Sequence, residues 1–172
     1  MPYHTRSMHS DLREAQEQAY APNNLILTNI TQEEESQEYA ACSFNLNQHR
    51  IKFRTAKITP TKIGQFVTFW KRLGSGPILP YDISDEFDFL IVSVRHKDQL
   101  GQFVFPKYVL YSRGVISKDG KDGKRAIRVY PPWDTTDNAT AKKTQIWQID
   151  YFYTINDKNT KINKLLTSTK TC

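Results

Sequence analysis

Apolar positions recur along this chain with two different periods, and each period predicts a different kind of element. Apolar residues three and four positions apart indicate helices, whereas strict alternation and short continuous apolar runs indicate strands. The opening stretch up to Tyr20 is rich in helix formers and stops at residues 22–24. Thr31 and Glu34 then form a capping-box pattern, which predicts a short acidic helix near residues 32–38.

Five segments carry strand patterns. Alternation over residues 39–46 and again over 51–56, with a polar turn between them, predicts a hairpin. The run 87–94 is continuously apolar, as expected for a strand buried on both faces. Residues 103–105 predict a second central strand, and residues 126–130 predict another.

Three segments carry helix patterns. Thr59 and Pro60 form a helix start, with the hydroxyl as N-cap and proline in the first turn, and this predicted helix ends at Gly74. Pro106 opens a second helix that Gly114 ends. Residues 139–155 predict a last long helix, and the polar tail 156–172 is expected to be mostly loop.

The order of these elements predicts the fold class. Strands and helices are interspersed, which is typical of a mixed α/β (α+β) protein with a central sheet flanked by helices. A chain of 172 residues fits a single domain. We expect an N-terminal helical segment over 1–24, a core domain over 25–155 and the tail over 156–172.

Composition indicates a soluble intracellular protein. There is no apolar run near the roughly 20 residues of a membrane span, and the N-terminus lacks the apolar core of a signal peptide. Cys42 and Cys172 form no C-x-x-C pair, which fits a reducing compartment and argues against structural zinc. We therefore expect a cytoplasmic protein that does not engage a membrane.

The charges are arranged in blocks. The chain has 24 basic and 18 acidic residues, a net charge of +6. Residues 39–81 hold seven basic side chains and no acidic one, and residues 95–128 hold nine basic and three acidic ones. Four carboxylates separate the two blocks: Asp82, Asp85, Glu86 and Asp88. Such blocks favour a phosphate-binding face.

Two constellations could carry chemistry, since the Walker, G-x-G-x-x-G, H-E-x-x-H and G-x-S-x-G motifs are absent. The predicted helix start near Pro60, with Lys57 and Lys62 beside it, would offer free N–H donors and positive charge to an anion. The four carboxylates followed by Lys107 have the parts of a metal-dependent phosphodiesterase. An ordinary charged turn and a solvated face explain the same residues equally simply.

Three blocks of sequence resemble one family. Residues 52–67 (KFRTAKITPTKIGQFV), 103–107 (FVFPK) and 128–134 (RVYPPWD) together are similar to the bacterial MepB-like proteins. This resemblance covers roughly residues 25–155. It implies a restriction-endonuclease-like fold, with a mixed central sheet flanked by helices, and it implies nucleic-acid binding. The family's namesake is encoded beside a multidrug efflux pump.

The nuclease motif associated with that fold is incomplete in this chain. Asp88 can supply the first acid, Lys107 the lysine, and Glu38 resembles the helical glutamate that some such nucleases use. The second acid would stand at Phe105, which cannot ligate a metal. A hard cation held by two carboxylates alone binds weakly, so we expect binding without cleavage and no cofactor, with weak Mg²⁺ binding only if the protein is a nuclease.

The expected function is nucleic-acid binding that is largely independent of sequence, to DNA first and RNA second. The predicted phosphate contacts are Lys57, Lys62, Lys71, Arg72, Lys107, Arg113, Arg125 and Arg128. Two alternatives stay open. One is an active Mg²⁺- or Mn²⁺-dependent nuclease, and the other is a protein-interaction or small-ligand module linked to multidrug resistance, with a pocket lined by Trp70, Tyr130 and Trp133.

Overall fold

The structure is a computed structural model that describes residues 8–167, and its elements are mostly strands. The helices are α1 (Ser10–Ala15), α2 (Lys107–Ser112), α3 (Ala139–Ile149) and α4 (Lys161–Thr167). The strands are β1 (Leu27–Gln32), β2 (Cys42–Leu46), β3 (His49–Thr55), β4 (Lys57–Ile58), β5 (Gln65–Thr68), β6 (Trp70–Arg72), β7 (Ile78–Pro80), β8 (Phe89–His96), β9 (Gln99–Pro106), β10 (Ala126–Val129) and β11 (Phe152–Thr154).

A six-stranded mixed sheet in the order β1-β2-β3-β8-β9-β11 forms the centre of the molecule. Neighbouring strands are antiparallel except for β3 and β8, which run parallel with Ile51 opposite Phe89. Strands β8 and β9 form the longest hairpin, and β8 is buried from Phe89 to Val94. The predicted hairpin, both central strands and the helix after Pro106 are therefore confirmed.

Each face of this sheet carries its own hydrophobic core. On one face, Ile51 and Phe53 pack with Leu12 of α1 and Ile162 of α4. On the other face, residues such as Leu90 belong to a second cluster with the small sheet β10-β5-β4. Alternation along each strand divides its side chains between the two cores.

The predicted helix between Thr59 and Gly74 is wrong. Residues 59–64 form a loop, and strands β5 and β6 follow it. In β5 the buried positions alternate, with Gln65 and Val67 facing inward while Phe66 lies on the outer face. The anion site expected at the start of that helix therefore does not exist, although Lys57 and Lys62 remain exposed.

Three further expectations are corrected. Residues 27–32 form β1, and the acidic helix near 32–38 is reduced to a single 3₁₀ turn at Gln37–Tyr39. The last long helix ends at Ile149, and the chain continues as β11. In the tail, α4 is a helix that buries Ile162 and Leu166, while residues 168–172, like residues 1–7, lie outside the described part.

The mixed α+β class with a central mixed sheet is confirmed. The described part of segment 1–24 is helical up to Asn23. The division at residues 24 and 155 stays a prediction. Within residues 8–167, no helix is both long and apolar enough to cross a membrane.

Candidate functional site

Asp88 and Lys107 come together at one end of the central hairpin. Asp88 directly precedes β8 and Lys107 directly follows β9, and Phe89 of the first strand pairs with Pro106 of the second. The Lys107 backbone N–H donates to the Asp88 carbonyl over 3.0 Å. The residues predicted to be the first acid and the lysine of the nuclease motif are thus neighbours.

The carboxylate of Asp88 is engaged by Arg50 at the start of β3. The Arg50 backbone N–H donates to Oδ2 over 2.8 Å, and its guanidinium reaches Oδ2 at 3.3 Å and Oδ1 at 3.1 Å. Burial alone would raise the pKa of Asp88, but the hydrogen bonds and charge of Arg50 lower it below its usual value. Asp88 is therefore an ionised carboxylate with a cation already on both oxygens.

The ammonium of Lys107 lies in a crowded position. It donates to the carbonyl of Asp85 and lies 5.0 Å from the centre of the Phe87 ring. Burial and the nearby positive charge of Arg50 lower the pKa of Lys107 below its ordinary value, against the opposing effect of Asp85 and Asp88. The Asp85 carboxylate itself is paired with Lys71 at 2.7 Å.

The remaining members of the expected nuclease motif lie elsewhere. Glu38 is exposed on the 3₁₀ turn, and no contact recorded in the described part joins it to Asp88 or Lys107. Phe105 is completely buried and its ring stacks on Phe103 at 5.4 Å. Residues 8–167 contain no cluster of three or more His, Cys, Asp or Glu side chains suited to a metal ion.

The eight predicted phosphate contacts fall into two groups. Two are paired with carboxylates, Lys71 with Asp85 and Arg72 with Glu35 at 3.4 Å. The other six have no carboxylate within ion-pair distance among the residues the structure describes, and they are Lys57, Lys62, Lys107, Arg113, Arg125 and Arg128. Of these six, Lys107, Arg125 and Arg128 donate hydrogen bonds to backbone carbonyls.

Lys57, Phe66 and Arg128 form one row across the small sheet, which we call the outer row. Lys57 of β4 and Arg128 of β10 both pair with Phe66 of the middle strand. The Arg128 guanidinium lies 5.8 Å from the centre of the Phe66 ring. Tyr39 packs edge-on against Phe66 at 6.2 Å, and the Lys57 ammonium lies 5.0 Å from the Tyr39 ring.

Beside the outer row, a cleft of about 260 Å³ separates β10 from α3. Arg113, Lys124 and Arg128 line this basic cleft together with Trp147, and none of its ten lining residues is acidic. The Arg113 guanidinium lies 5.0 Å from the centre of the Trp147 ring. Cations and aromatic rings therefore alternate here as they do along the outer row.

Arg128 belongs to both features and connects them. Its Nη1 donates to Thr59 Oγ1 at 3.0 Å and to the carbonyls of Ile63 and Gly64 at 3.4 and 3.3 Å. This anchors the loop that carries Lys62 to β10. The outer row, Lys62 and the basic cleft thus form one continuous region, which we call the basic surface.

A loop over residues 117–124, with three lysines and two aspartates, adjoins the basic surface, and buried Asp82 holds it in place. The Asp82 carboxylate accepts from Ser84, from the Ser117 hydroxyl at 2.7 Å and from the Gly120 N–H at 3.2 Å. Hydrogen bonds from Ser84, and then from Ser117, lower the pKa of Asp82 well below its usual range. Lys124 of this loop also lines the basic cleft.

Sequence reasoning identified several cations of the basic surface but missed its aromatic members. Phe66 fell inside the predicted helix between Thr59 and Gly74, and Trp147 inside the predicted helix over residues 139–155. The detectable signal was the period-two pattern of residues 65–69, in which the polar Gln65 hides the alternation. Trp70, Tyr130 and Trp133, expected around one pocket, lie apart: Tyr130 lines the basic cleft, Trp133 a separate cavity, and Trp70 is on β6.

Comparison with known proteins agrees with the architecture. A solved structure described as the crystal structure of MepB is 36% identical, with a TM-score of 0.72, and the match covers 74% of this chain and 86% of that one. A bacterial homing endonuclease matches at 12% identity and a TM-score of 0.44 over 82% of this chain and 86% of its own, which is too low to support an assignment.

None of the curated proteins matches this sequence significantly. The sequence model of the MepB-like family, however, matches residues 33–154, which include every strand from β2 to β11 and helices α2 and α3. The chain therefore belongs to the MepB-like family.

Proposed function

We propose that this protein binds nucleic acid, with DNA as the first candidate and RNA as the second, through phosphate contacts that do not depend on sequence. The observation that carries the proposal is the basic surface: cations without carboxylate partners, arranged around aromatic rings, with no acidic residue lining the cleft. A cytoplasmic location, where a bacterium keeps its DNA, is part of the same proposal.

The two cations of the outer row stand on opposite edges of one small sheet. Lys57 and Arg128 lie on the two outer strands of a three-stranded sheet, so their backbones are about 10 Å apart across two strand spacings. Neither cation must leave an ion pair before it meets a phosphate. Contacts of this kind fix a protein on a nucleic acid without reading its bases.

We further propose that the protein does not cleave what it binds. A catalytic Mg²⁺ is usually held by one or two free carboxylates, with waters and substrate phosphates as its other ligands. At the hairpin end, Asp88 is neutralised by Arg50, and a buried phenyl ring at Phe105 occupies the position of the second acid. Lys107 occupies the lysine position of the nuclease motif, but the motif's second carboxylate is missing beside it.

Salt-dependent binding tests the first half of this proposal. Fluorescence anisotropy of labelled DNA gives the binding constant at each salt concentration. The logarithm of the binding constant, plotted against the logarithm of the salt concentration, should fall with a steep slope, which we call the salt slope. Lys57→Gln and Arg128→Gln should each reduce that slope by about one and weaken unrelated sequences equally. Lys161→Gln on α4, on the opposite side of the sheet, is the matched control and should leave the slope unchanged. Absence of binding even at low salt would refute the function.

A plasmid assay tests the second half. Supercoiled plasmid incubated with the protein and Mg²⁺ or Mn²⁺ should stay supercoiled. Nicking that Asp88→Ala or Lys107→Ala abolishes would show that the protein is a nuclease, while leaving the binding proposal intact. Because Asp88 also fixes Arg50, thermal unfolding of each variant confirms that it remains folded.

A further inference from the structure

Several cations of this molecule lie beside aromatic rings. A cation within about 6 Å of a ring centre is attracted by the negative face of the ring. The described residues contain eight pairs at such a distance. In five of them neither partner is buried: Lys57–Tyr39, Arg72–Trp70, Arg113–Trp147, Lys118–Tyr111 and Arg128–Phe66.

Three of these five pairs lie on the basic surface. Along the outer row, the ring of Phe66 stands between Lys57 and Arg128, and Tyr39 adds a second ring at the Lys57 end. In the basic cleft, Trp147 lies beneath Arg113. Phe66 and Tyr39 are both half-buried; Phe66 is held in strand β5, and Tyr39, on the 3₁₀ turn, packs edge-on against it.

A duplex keeps its bases stacked on one another, so it offers base faces to such rings only where base steps are pulled apart, which costs a few kcal/mol per step. A single strand can place its bases on the rings and its phosphates on the cations without that cost. The alternation of rings and cations therefore favours a single strand over a duplex.

We infer that the basic surface binds single-stranded nucleic acid in preference to duplex, with bases stacking on Tyr39 and Phe66 while Lys57, Arg113 and Arg128 contact phosphates. The inference rests on the proposed function and names its substrate class. It assigns the two aromatic residues a binding role in addition to their packing against each other.

Competition between two forms of one sequence tests this directly. A labelled 20-nucleotide DNA strand and the same strand annealed to its complement are titrated with the full chain at the same salt concentration. The single strand should bind at least tenfold more tightly. Stacking of one base contributes about 1–3 kcal/mol, so Phe66→Leu and Tyr39→Leu should each weaken single-strand binding by about 5- to 150-fold.

Matched variants separate stacking from charge. Phe66→Leu and Tyr39→Leu remove no charge, so they should leave the salt slope and the affinity for duplex nearly unchanged. Lys57→Gln should weaken binding of both the single strand and the duplex and should reduce the salt slope. If Phe66→Leu unfolds, Tyr39→Leu on the exposed turn still decides the matter. Duplex binding as tight as single-strand binding, or single-strand affinity unaffected by both leucine variants, would overturn this inference and leave the proposed function standing. Failure to bind either form would refute the proposed function itself.

Discussion

Glu33 links two cations of strand β3 beneath the loop that follows β1. Its carboxylate accepts from Arg54 Nη2 at 2.7 Å, from Lys52 Nζ at 3.0 Å and from the Ser43 hydroxyl at 2.8 Å. Arg54 is fully buried, with the Phe69 ring 5.3 Å from its guanidinium. Burial alone would raise the pKa of Glu33, but the charges of Arg54 and Lys52 have the larger combined effect and hold this pKa below its usual value.

Removing the charge of Glu33 should be costly. Glu33→Gln leaves a buried guanidinium without a counter-charge, and breaking a buried pair in this way costs about 3–5 kcal/mol. The pKa of Glu33 is lower in the folded state than in the unfolded one, so its contribution is complete above about pH 4.3 and declines as the pH falls below that value. The difference in unfolding free energy between wild type and variant should therefore shrink in acid.

Urea denaturation at several pH values measures this effect. Glu35→Gln is the matched control, because Glu35 pairs with Arg72 and both side chains are more than one-third exposed. Surface pairs of this kind contribute about 0–1 kcal/mol. Equal losses in the two variants would contradict the role given to Glu33.

The same contacts explain which residues of the site could be predicted from the sequence. Asp88 and Lys107 flank two strands that are consecutive in the chain, and consecutive strands usually pair, so their meeting could be anticipated. Arg50 reaches Asp88 through the parallel pairing of β3 and β8, which lie far apart in the chain. Arg50 was therefore interpreted as one cation in a basic block.

Gln148 of α3 completes the edge of strand β10. Its side-chain Oε1 accepts from the Tyr130 N–H at 2.9 Å, and its Nε2 donates to the Arg128 carbonyl at 3.1 Å. The Gln148 side chain thus makes two hydrogen bonds of the kind that a neighbouring strand would make with this edge of β10, while the other edge of β10 pairs with β5. This contact fixes the helix beside the strand and thereby shapes the basic cleft.

Replacing Gln148 should destabilise the protein and disturb the cleft. Gln148→Leu fills a similar volume but leaves two partly buried backbone groups unpaired, which costs about 1–3 kcal/mol. Amide exchange at Tyr130 should become faster than in the wild type. Ile146→Ala on the exposed side of the same helix should change stability by about 0.5 kcal/mol or less. Unchanged exchange at Tyr130 would show that Gln148 does not hold this edge.

Elements formed from local signals were predicted more reliably than those that depend on distant partners. The β2–β3 hairpin and α2 follow from alternation, turn residues and a proline that starts a helix. Strand β5 has helix-compatible spacing, but it pairs with β10, some sixty residues later in the chain. That pairing buries Val67 and Phe69 and decides between the two periods.

A stabilising core and the surface that we propose to bind nucleic acid lie on opposite faces of the main sheet. One face carries the core that α1 and α4 cover, where Ile162 is completely buried against a cluster that includes Leu12 and Tyr20. The basic surface lies with the small sheet and α3, which pack on the opposite face. The sequence could not predict this division, because α4 was interpreted as loop.

This arrangement predicts that stability and binding change independently. Ile162→Ala leaves a cavity in the first core and should cost about 2–5 kcal/mol, while the salt slope of DNA binding by the folded protein stays unchanged. Lys57→Gln removes an exposed cation and should reduce the slope by about one, while the melting temperature stays within a few degrees of wild type. The double variant should show both effects in full, because distant sites are additive. Melting curves and anisotropy titrations measure the two quantities on the same samples, and a slope that changes with Ile162→Ala in fully folded protein would mean that the two faces are coupled.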